Sequence, residues 1–498
     1  MSSFYVENFG CRATQADGAA IEHQFLASGL DRAPGWHNAG YVVLNTCAVT
    51  ASAEQDARAA IRRIRRKSPG CKIVITGCYA QRVPGEVASL PGVFAVVGNS
   101  HKPNLAQIAL RKHCQNGNSE PSSFVPLSIL QDAGRPEIFV SDIFAHTQLL
   151  AAPVFDSANE RTRPNLKVQD GCNNRCSFCI IPSVRGRSRS LRVDEVVREV
   201  NQLVEAGYRE VVISGINLGR WGRDLAHVGS GAPTRAGELC SPDAARSAAG
   251  RVRAPAPTRD IVTFEDLVQA ILEKTSLEKL RISSVEPMDW SDSLIRLMAE
   301  SPRIAKHAHV PMQSGSDSVL RRMHRKYRPW HYREKIEKIR SAMPSAAIGG
   351  DVMVGFPGET EAEFEETRRM IDDLPFTYLH VFTFSARPGT PAATMPNQVP
   401  VRVARERNRI LRELATEKKH AFMRAFIGKP LESITLRRTN EGRDTVWTDA
   451  LTDNFLKMKI AGKHASNQWL AANVEKIENG ELLASVEKIC FPSTAAAV

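Results

Sequence analysis

From Asn165 to Ser385 the chain keeps one rhythm, in which a short apolar run is followed by a stretch of helical periodicity and then by another apolar run. NLKVQ, REVVIS, LEKLRISS, KHAHVPM, IGGDVMVG and YLHVFTFS read as strands. DEVVREVNQLVEAG, FEDLVQAILEK and EAEFEETRRMIDD read as helices, with others near Ile295, Val319 and Ile336. Strands separated by helices cannot pair as hairpins, so they run parallel, and about six such units predict a complete or partial α/β barrel.

The rest of the chain has a different grain. Residues 1–114 show a shorter alternation, with SFYVE, YVVLN, KIVIT and FAVVG as strands and EQDARAAIRRIRR as a helix, which predicts a small parallel α/β domain. Residues 115–160 read as a linker with one ordered piece near Ile138 to Ile143, and 161–400 hold the barrel. Within the barrel, Gly229 to Thr258 is so rich in Ala, Gly, Pro, Ser and Thr that it reads as a disordered insertion. Residues 401–427 form a basic helix. Residues 428–492 carry short strand-like runs (SITLRR, TVWTDA, FLKMKI, WLAANVEKI, ELLASVEKI) expected of a small β-barrel.

The net charge of +12 is concentrated rather than spread. Residues 58–67 hold six basic and no acidic residues, 161–192 hold eight against one, and 401–425 hold eight against three. Such patches suit a polyanionic partner. The span 428–492 balances nine basic with nine acidic residues, so charge alone does not assign it to nucleic acid. Neither a long apolar span nor a signal peptide is visible, so the chain reads as cytoplasmic with no membrane partner.

In that setting the ten cysteines are expected to be reduced, hence buried, reactive or metal-bound. Cys172, Cys176 and Cys179 fall within eight residues in DGCNNRCSFCIIP, directly after a strand. Gly171, Asn173, Asn174 and Pro182 make this a loop rather than a helix stripe. Structural zinc takes four protein ligands, commonly from two CxxC pairs, whereas here three thiols have no fourth Cys or His nearby. A cubane iron–sulfur cluster held by three thiolates keeps one iron free for a small molecule.

A second set is dispersed in sequence but convergent in topology. Cys47 ends VVLNTC, Cys78 ends IVITGC and Cys11 follows FYVENFG, so each stands at the C-terminal end of a parallel strand. Parallel strands finish at one sheet edge, which lets the three thiols meet. Cys71 begins its strand and lies about 23 Å from Cys78, at ~3.3 Å per residue, which excludes it. Cys114, Cys240 and Cys490 fit no pattern.

The spacing C-x3-C-x2-C resembles that of the radical S-adenosylmethionine (SAM) enzymes, whose fold is a (β/α)6 partial barrel. GCRATQAD, NTCAVT and GCYAQ look like the cysteine motifs of the methylthiotransferase family within them, as do RGRSRS, SSVEP, HVPMQSGSDSVLRRMHRKY, GGDVMVGFPGETEAEF and FSARPGTPAA. The resemblance covers nearly the whole chain and implies an N-terminal methylthiotransferase domain, a radical SAM core and a C-terminal RNA-binding TRAM barrel. It departs at Thr14, where the family usually has Asn, and in the length of the 229–258 insertion.

What the resemblance implies for function is specific. Cys172, Cys176 and Cys179 would hold a 4Fe-4S cluster whose free iron binds SAM and cleaves it to methionine and a 5′-deoxyadenosyl radical. Cys11, Cys47 and Cys78 would hold a second 4Fe-4S cluster, which carries the sulfur. Phe178, Asn217, Ser283, Glu286, Gln313, Asp351 and Gly355 would contact SAM. Arg185, Arg187 and Arg189, beside the cysteine loop, are expected to contact RNA. The NLKVQDGCNNRCSFCIIP segment looks most like enzymes that methylthiolate carbon 2 of threonylcarbamoyladenosine in tRNA. Isopentenyladenosine in tRNA and a ribosomal-protein side chain are the alternatives, and a zinc-containing RNA-binding protein is the alternative outside catalysis. The expected partners are a tRNA anticodon stem-loop, an electron donor such as a reductase or flavodoxin-type protein, and a sulfur donor.

Overall fold

The computed structural model describes residues 3–114, 136–146, 149, 162–225, 262–441 and 446–488. The 229–258 insertion, most of the 115–160 linker, Cys240 and Cys490 lie outside the described residues.

The N-terminal unit runs β1 (Ser3–Asn8), α1 (Arg12–Ala27), β2 (Asp31–Arg32), β3 (Tyr41–Thr46), α2 (Ala51–Lys67), β4 (Lys72–Gly77), α3 (Cys78–Arg82), α4 (Pro84–Ala88), β5 (Val93–Val97), α5 (Leu105–Cys114) and β6 (Glu137–Phe139). Its sheet has the order β2-β1-β3-β4-β5-β6, and the paired strands are all parallel. Every residue of β3 is buried, as a parallel strand covered on both faces requires. The ordered piece expected in the linker is β6, which adds the last strand. Helix α2 forms because Thr50 accepts a hydrogen bond from Ala53 N at its start and Arg65, Arg66 and Lys67 oppose the dipole at its end. Ala57, Ala60, Ile61 and Ile64 are its buried face.

The central unit contains β7 (Asn165–Asp170), α6 (Ile181–Arg185), β8 (Arg189–Ser190), α7 (Val193–Glu205), β9 (Glu210–Gly215), α8 (Phe264–Lys274), β10 (Lys279–Ile282), α9 (Asp292–Glu300), β11 (His307–His309), α10 (Asp317–Arg322), α11 (Pro329–Ala342), β12 (Ala347–Val354), α12 (Glu361–Asp373) and β13 (Tyr378–Thr383). Six of these strands, β7, β9, β10, β11, β12 and β13, follow one another in parallel around a curved wall. Single bridges, Leu280 to Ile304 and Ser284 to His309, join its two halves. Among the described residues β7 and β13 do not pair, so the barrel is open on one side. Helix α1 lies against β7 at that side, and α3 lies against α6. The fold is therefore the expected partial (β/α)6 barrel with a small α/β domain at its flank.

Helix α13 (Val401–Arg424) packs on β13 and leads into a closed five-stranded barrel of β14 (Pro430–Glu441), β15 (Val446–Thr452), β16 (Lys457–Ala461), β17 (Trp469–Glu478) and β18 (Glu481–Lys488). The turn after β15 stops the lower end of the central barrel. Arg281 donates to Asp453 O at 3.0 Å, and Phe455 lies tilted against His307 with centroids 4.3 Å apart.

Candidate active site

The loop after β7 carries Cys172, Cys176 and Cys179. It folds back because Cys172 N donates to Gly186 O (3.1 Å), Ser177 N to Met323 O (3.1 Å) and Cys179 N to Cys176 O (3.2 Å). Gly171 has φ +72, and a Cβ there would stand 2.0 Å from Arg187 O, so only glycine permits the turn. Cys172 Sγ accepts from Asn174 N (3.4 Å) and faces Asn217 Nδ2 at 3.7 Å. Cys176 Sγ accepts from Arg325 Nη1 at 3.3 Å. Burial pushes the Cys179 thiol up to about 12, against the backbone N–H of Ile181.

Cys11 caps α1, Cys47 follows β3 and Cys78 opens α3, so the three follow the adjacent strands β1, β3 and β4. A side chain at Gly10 would place its Cβ 2.7 Å from Cys47 Cβ, so glycine is what lets these segments close on each other. Burial and then the neighbouring Cys78 push the Cys47 thiol up to about 12, with Cys11 adding to the effect. Thr14 Oγ1 is 3.6 Å from Cys11 Sγ and Asn99 Nδ2 is 3.6 Å from Cys78 Sγ, so the departure at Thr14 still puts a hydroxyl beside the sulfur. Cys71 stands before β4, at the opposite end of that strand from Cys78.

A buried ion network joins the two sets. Arg185 donates to both oxygens of Asp170 (2.9 and 3.0 Å) and to Asp17 Oδ2 (2.9 Å). Lys167 bridges the same two carboxylates, and Lys102 reaches Asp17 at 2.9 Å. These cations hold both carboxyls well below the usual range although burial acts the other way. This corrects the expectation for Arg185, which is 2% exposed and committed to two carboxylates, so it is no free cation for a phosphate. Arg189 is half-buried and donates to the carbonyls of His146 and Arg185. Of the three arginines, Arg187 is the exposed one.

Asn217, Ser283, Glu286 and Gln313 stand at or just past the C-terminal ends of β9, β10 and β11, and Asp351 lies within β12. Asn217 Oδ1 is buried without a hydrogen-bond partner, a ready acceptor beside Cys172. Glu286 pairs with Arg325, which thereby spans Glu286 and Cys176. Gln313 adopts φ +63 and bridges to β12. Two others are committed to packing. Phe178 lies edge-on to Phe356 within an apolar group, and Gly355 lies under Ala404, whose Cβ a side chain would approach to 2.5 Å.

Sequence reasoning passed over Arg325, although it stands within the quoted HRKY. It also passed over His309 and His380, whose ligand atoms lie within 4.8 Å of each other and of Asp351, expected only as a SAM contact. The signal was present, since alternate residues of adjacent parallel strands share a face.

Two family patterns match the two α/β units. The Radical SAM superfamily matches residues 166–371, and a family described as Uncharacterized protein family UPF0004 matches residues 3–98. The chain is 32% identical over 463 residues to the threonylcarbamoyladenosine tRNA methylthiotransferase MtaB of Bacillus subtilis, covering 93% of this chain and 91% of that one. Its likeness to the MtaB of Rickettsia prowazekii is 33% over 476 residues, 95% of each chain. The chain belongs to the radical SAM tRNA methylthiotransferases.

A further relative is the tRNA-2-methylthio-N(6)-dimethylallyladenosine synthase of Thermobifida fusca, at 31% identity over 89% of this chain and 79% of that one. The radical SAM methyltransferase TsrM of Kitasatospora setae superposes with a TM-score of 0.51 at 14% identity, over 78% of this chain and 75% of that one, a likeness of fold. A radical SAM methylthiotransferase requires SAM and a 4Fe-4S cluster, and the 172–179 loop fits both. Among the described residues neither cysteine set forms a trio with all ligand atoms within 4.8 Å, whereas thiolates on one tetrahedral zinc stand about 3.8 Å apart. A bound cluster compensates for burial by keeping the thiols deprotonated.

Proposed function

We propose that this methylthiotransferase acts on carbon 2 of N6-threonylcarbamoyladenosine beside the anticodon, with Cys172, Cys176 and Cys179 holding the SAM-binding cluster and Cys11, Cys47 and Cys78 holding a second 4Fe-4S cluster. The observation that carries this reading is the convergence of both cysteine triplets on one interface, tied by Asp17, Arg185 and Asp170. The two matched MtaB relatives, named for threonylcarbamoyladenosine, span more of this chain than the dimethylallyladenosine enzyme does.

An adenine C–H has neither an acidic proton nor a leaving group, so acid–base groups have nothing to act on, and the bound clusters with SAM supply one-electron chemistry in their place. The protein's own residues hold the parts in register. Arg325 fixes the Cys176 thiolate and Glu286 together, and a charged donor on a ligand sulfur orients it. Asn217, with its open acceptor, and Ser283, Glu286 and Gln313 on neighbouring strand ends would orient SAM. The ion network keeps the N-terminal domain from shifting against the barrel.

Anaerobic reconstitution should load about eight iron per chain, and Cys172, Cys176 and Cys179 changed together to Ala should remove about four. A colourless, zinc-containing protein would sink the reading. Nucleoside mass spectrometry of tRNA from cells with and without the gene tests the substrate. Loss of the methylthio form of threonylcarbamoyladenosine is expected, and loss of the isopentenyl form instead, or of a modified ribosomal protein, would replace it.

A further inference from the structure

Arg12 is the first residue of α1, directly after Cys11, and its carbonyl accepts from Asn165 Nδ2 (2.9 Å) at the start of β7. Its side chain is half-buried at the open barrel, where its ionisable neighbours are the Tyr378 phenol of β13, Arg281 of β10 and Glu210 of β9. Other buried guanidinium groups around this space have carboxylate partners. Arg281 and Arg163 share Glu210, Arg325 takes Glu286, and Arg185 takes Asp17 and Asp170. Arg12 makes no side-chain hydrogen bond or ion pair among the described residues.

The layer above Arg12 is polar and accessible. His309, Asp351 and His380 project from β11, β12 and β13 with their ligand atoms within 4.8 Å, and the three pass from buried through half-buried to exposed. His309 is 8% exposed. Its Nε2 is 3.4 Å from Asp351 Oδ1 without hydrogen-bond geometry, and its Nδ1 has no partner among the described residues. Below them His307 Nε2 meets Tyr378 OH at 2.7 Å. Three guanidinium groups, Arg12, Arg163 and Arg281, together with Lys279 face three carboxylates, Glu210, Asp351 and Asp453, the last paired with Lys279. The recess thus carries excess positive charge, which disfavours a metal ion at the histidines and favours an anion.

We propose that Arg12 is the specificity-determining partner of the carboxylate on the substrate's N6 side chain, with His309 and His380 as the polar wall that side chain passes. This rests on the threonylcarbamoyl reading above. With the adenine near the clusters, an N6 substituent directed down the barrel carries its terminal carboxylate toward Arg12, where a guanidinium fork can take both oxygens. A dimethylallyl group in the same place would leave the cation unpaired and desolvated.

The test uses the anaerobically reconstituted full-length enzyme and two anticodon stem-loops. One carries threonylcarbamoyladenosine, and the other is the same nucleoside with the threonine carboxylate replaced by a primary alcohol. Wild type should methylthiolate the acid at least about 100-fold better, since a site built for a charged partner rejects its neutral analogue strongly. In Arg12→Gln that preference should fall to within about threefold, while Arg12→Lys keeps part of it. Iron content and RNA-independent SAM cleavage, which a structural role would alter, should match wild type in both variants. Equal slowing on the two stem-loops, an unchanged preference in Arg12→Gln, or loss of iron in both variants overturns the proposal and makes Arg12 structural. A wild-type enzyme inactive on the threonylcarbamoyl stem-loop instead fails the substrate reading itself.

Discussion

Asp17 is the residue on which the junction between the two α/β units turns. It is 1% exposed and touches Lys102, Lys167 and Arg185 at once. Desolvation wins at Lys102, which has this carboxylate alone and falls below its ordinary value; Lys167 has Asp170 as well and rises. Replacing Asp17 by Asn would leave Lys102 without a carboxylate and Lys167 and Arg185 to share Asp170, at a cost of about 3–5 kcal/mol. Because Asp17 and Asp170 are depressed in the folded protein, their contribution is complete above about pH 4, the unfolded value, and is lost as pH falls below it. Thermal unfolding followed from pH 6 to pH 3 should show wild type losing stability in that window. Asp17→Asn should begin less stable and lose less, and an identical pH slope in the two proteins would deny the network its role. None of this was legible in RGRSRS, which reads as a basic surface. Arg185 meets Asp17 across 168 residues of sequence, and only the packing of α1 on β7 brings them together.

The strand ends were far more legible, because their grouping depends only on the direction of the chain. Once β1, β3 and β4 are parallel and adjacent, cysteines that follow them share an edge, and Cys71 at the other end of β4 is excluded. The same rule applied to KHAHVPM and YLHVF would have placed His307 with His309, and Tyr378 with His380, on common faces. What the pattern could not supply is the gap between β7 and β13, since strand pairing around an incomplete barrel is a tertiary fact. From this edge follows a division of labour. Changing Cys11, Cys47 and Cys78 together to Ala should spare reductive SAM cleavage, followed as 5′-deoxyadenosine, and abolish methylthio product. Cys71→Ala should leave both unchanged, and methylthio product from the triple variant would end the assignment of that edge.

At the scale of the whole molecule, the sequence located the positive charge and the structure sorts it by availability. Arg185 and Arg189 are taken up by the protein's own acceptors, and on α2 Arg58 pairs with Glu86 and Arg63 with Glu7. Arg62, Arg65 and Arg66 stay exposed on that helix, and Arg187 stays exposed beside the cysteine loop. A stem-loop that presents its base to the clusters lays its phosphates across the adjoining surface, and each phosphate neutralised there releases counterions. The salt dependence of binding therefore counts the arginines that engage RNA independently of what they do for the fold. Changing Arg62, Arg65 and Arg66 together to Gln should reduce the slope of log affinity against log salt by about 2 to 3, and Arg187→Gln by somewhat less than 1. Fluorescence anisotropy with a labelled stem-loop from 50 to 300 mM salt measures both. Weaker binding with an unchanged slope would mean that a variant had disturbed the protein rather than a phosphate contact, and an unchanged affinity and slope would leave α2 a solvated face.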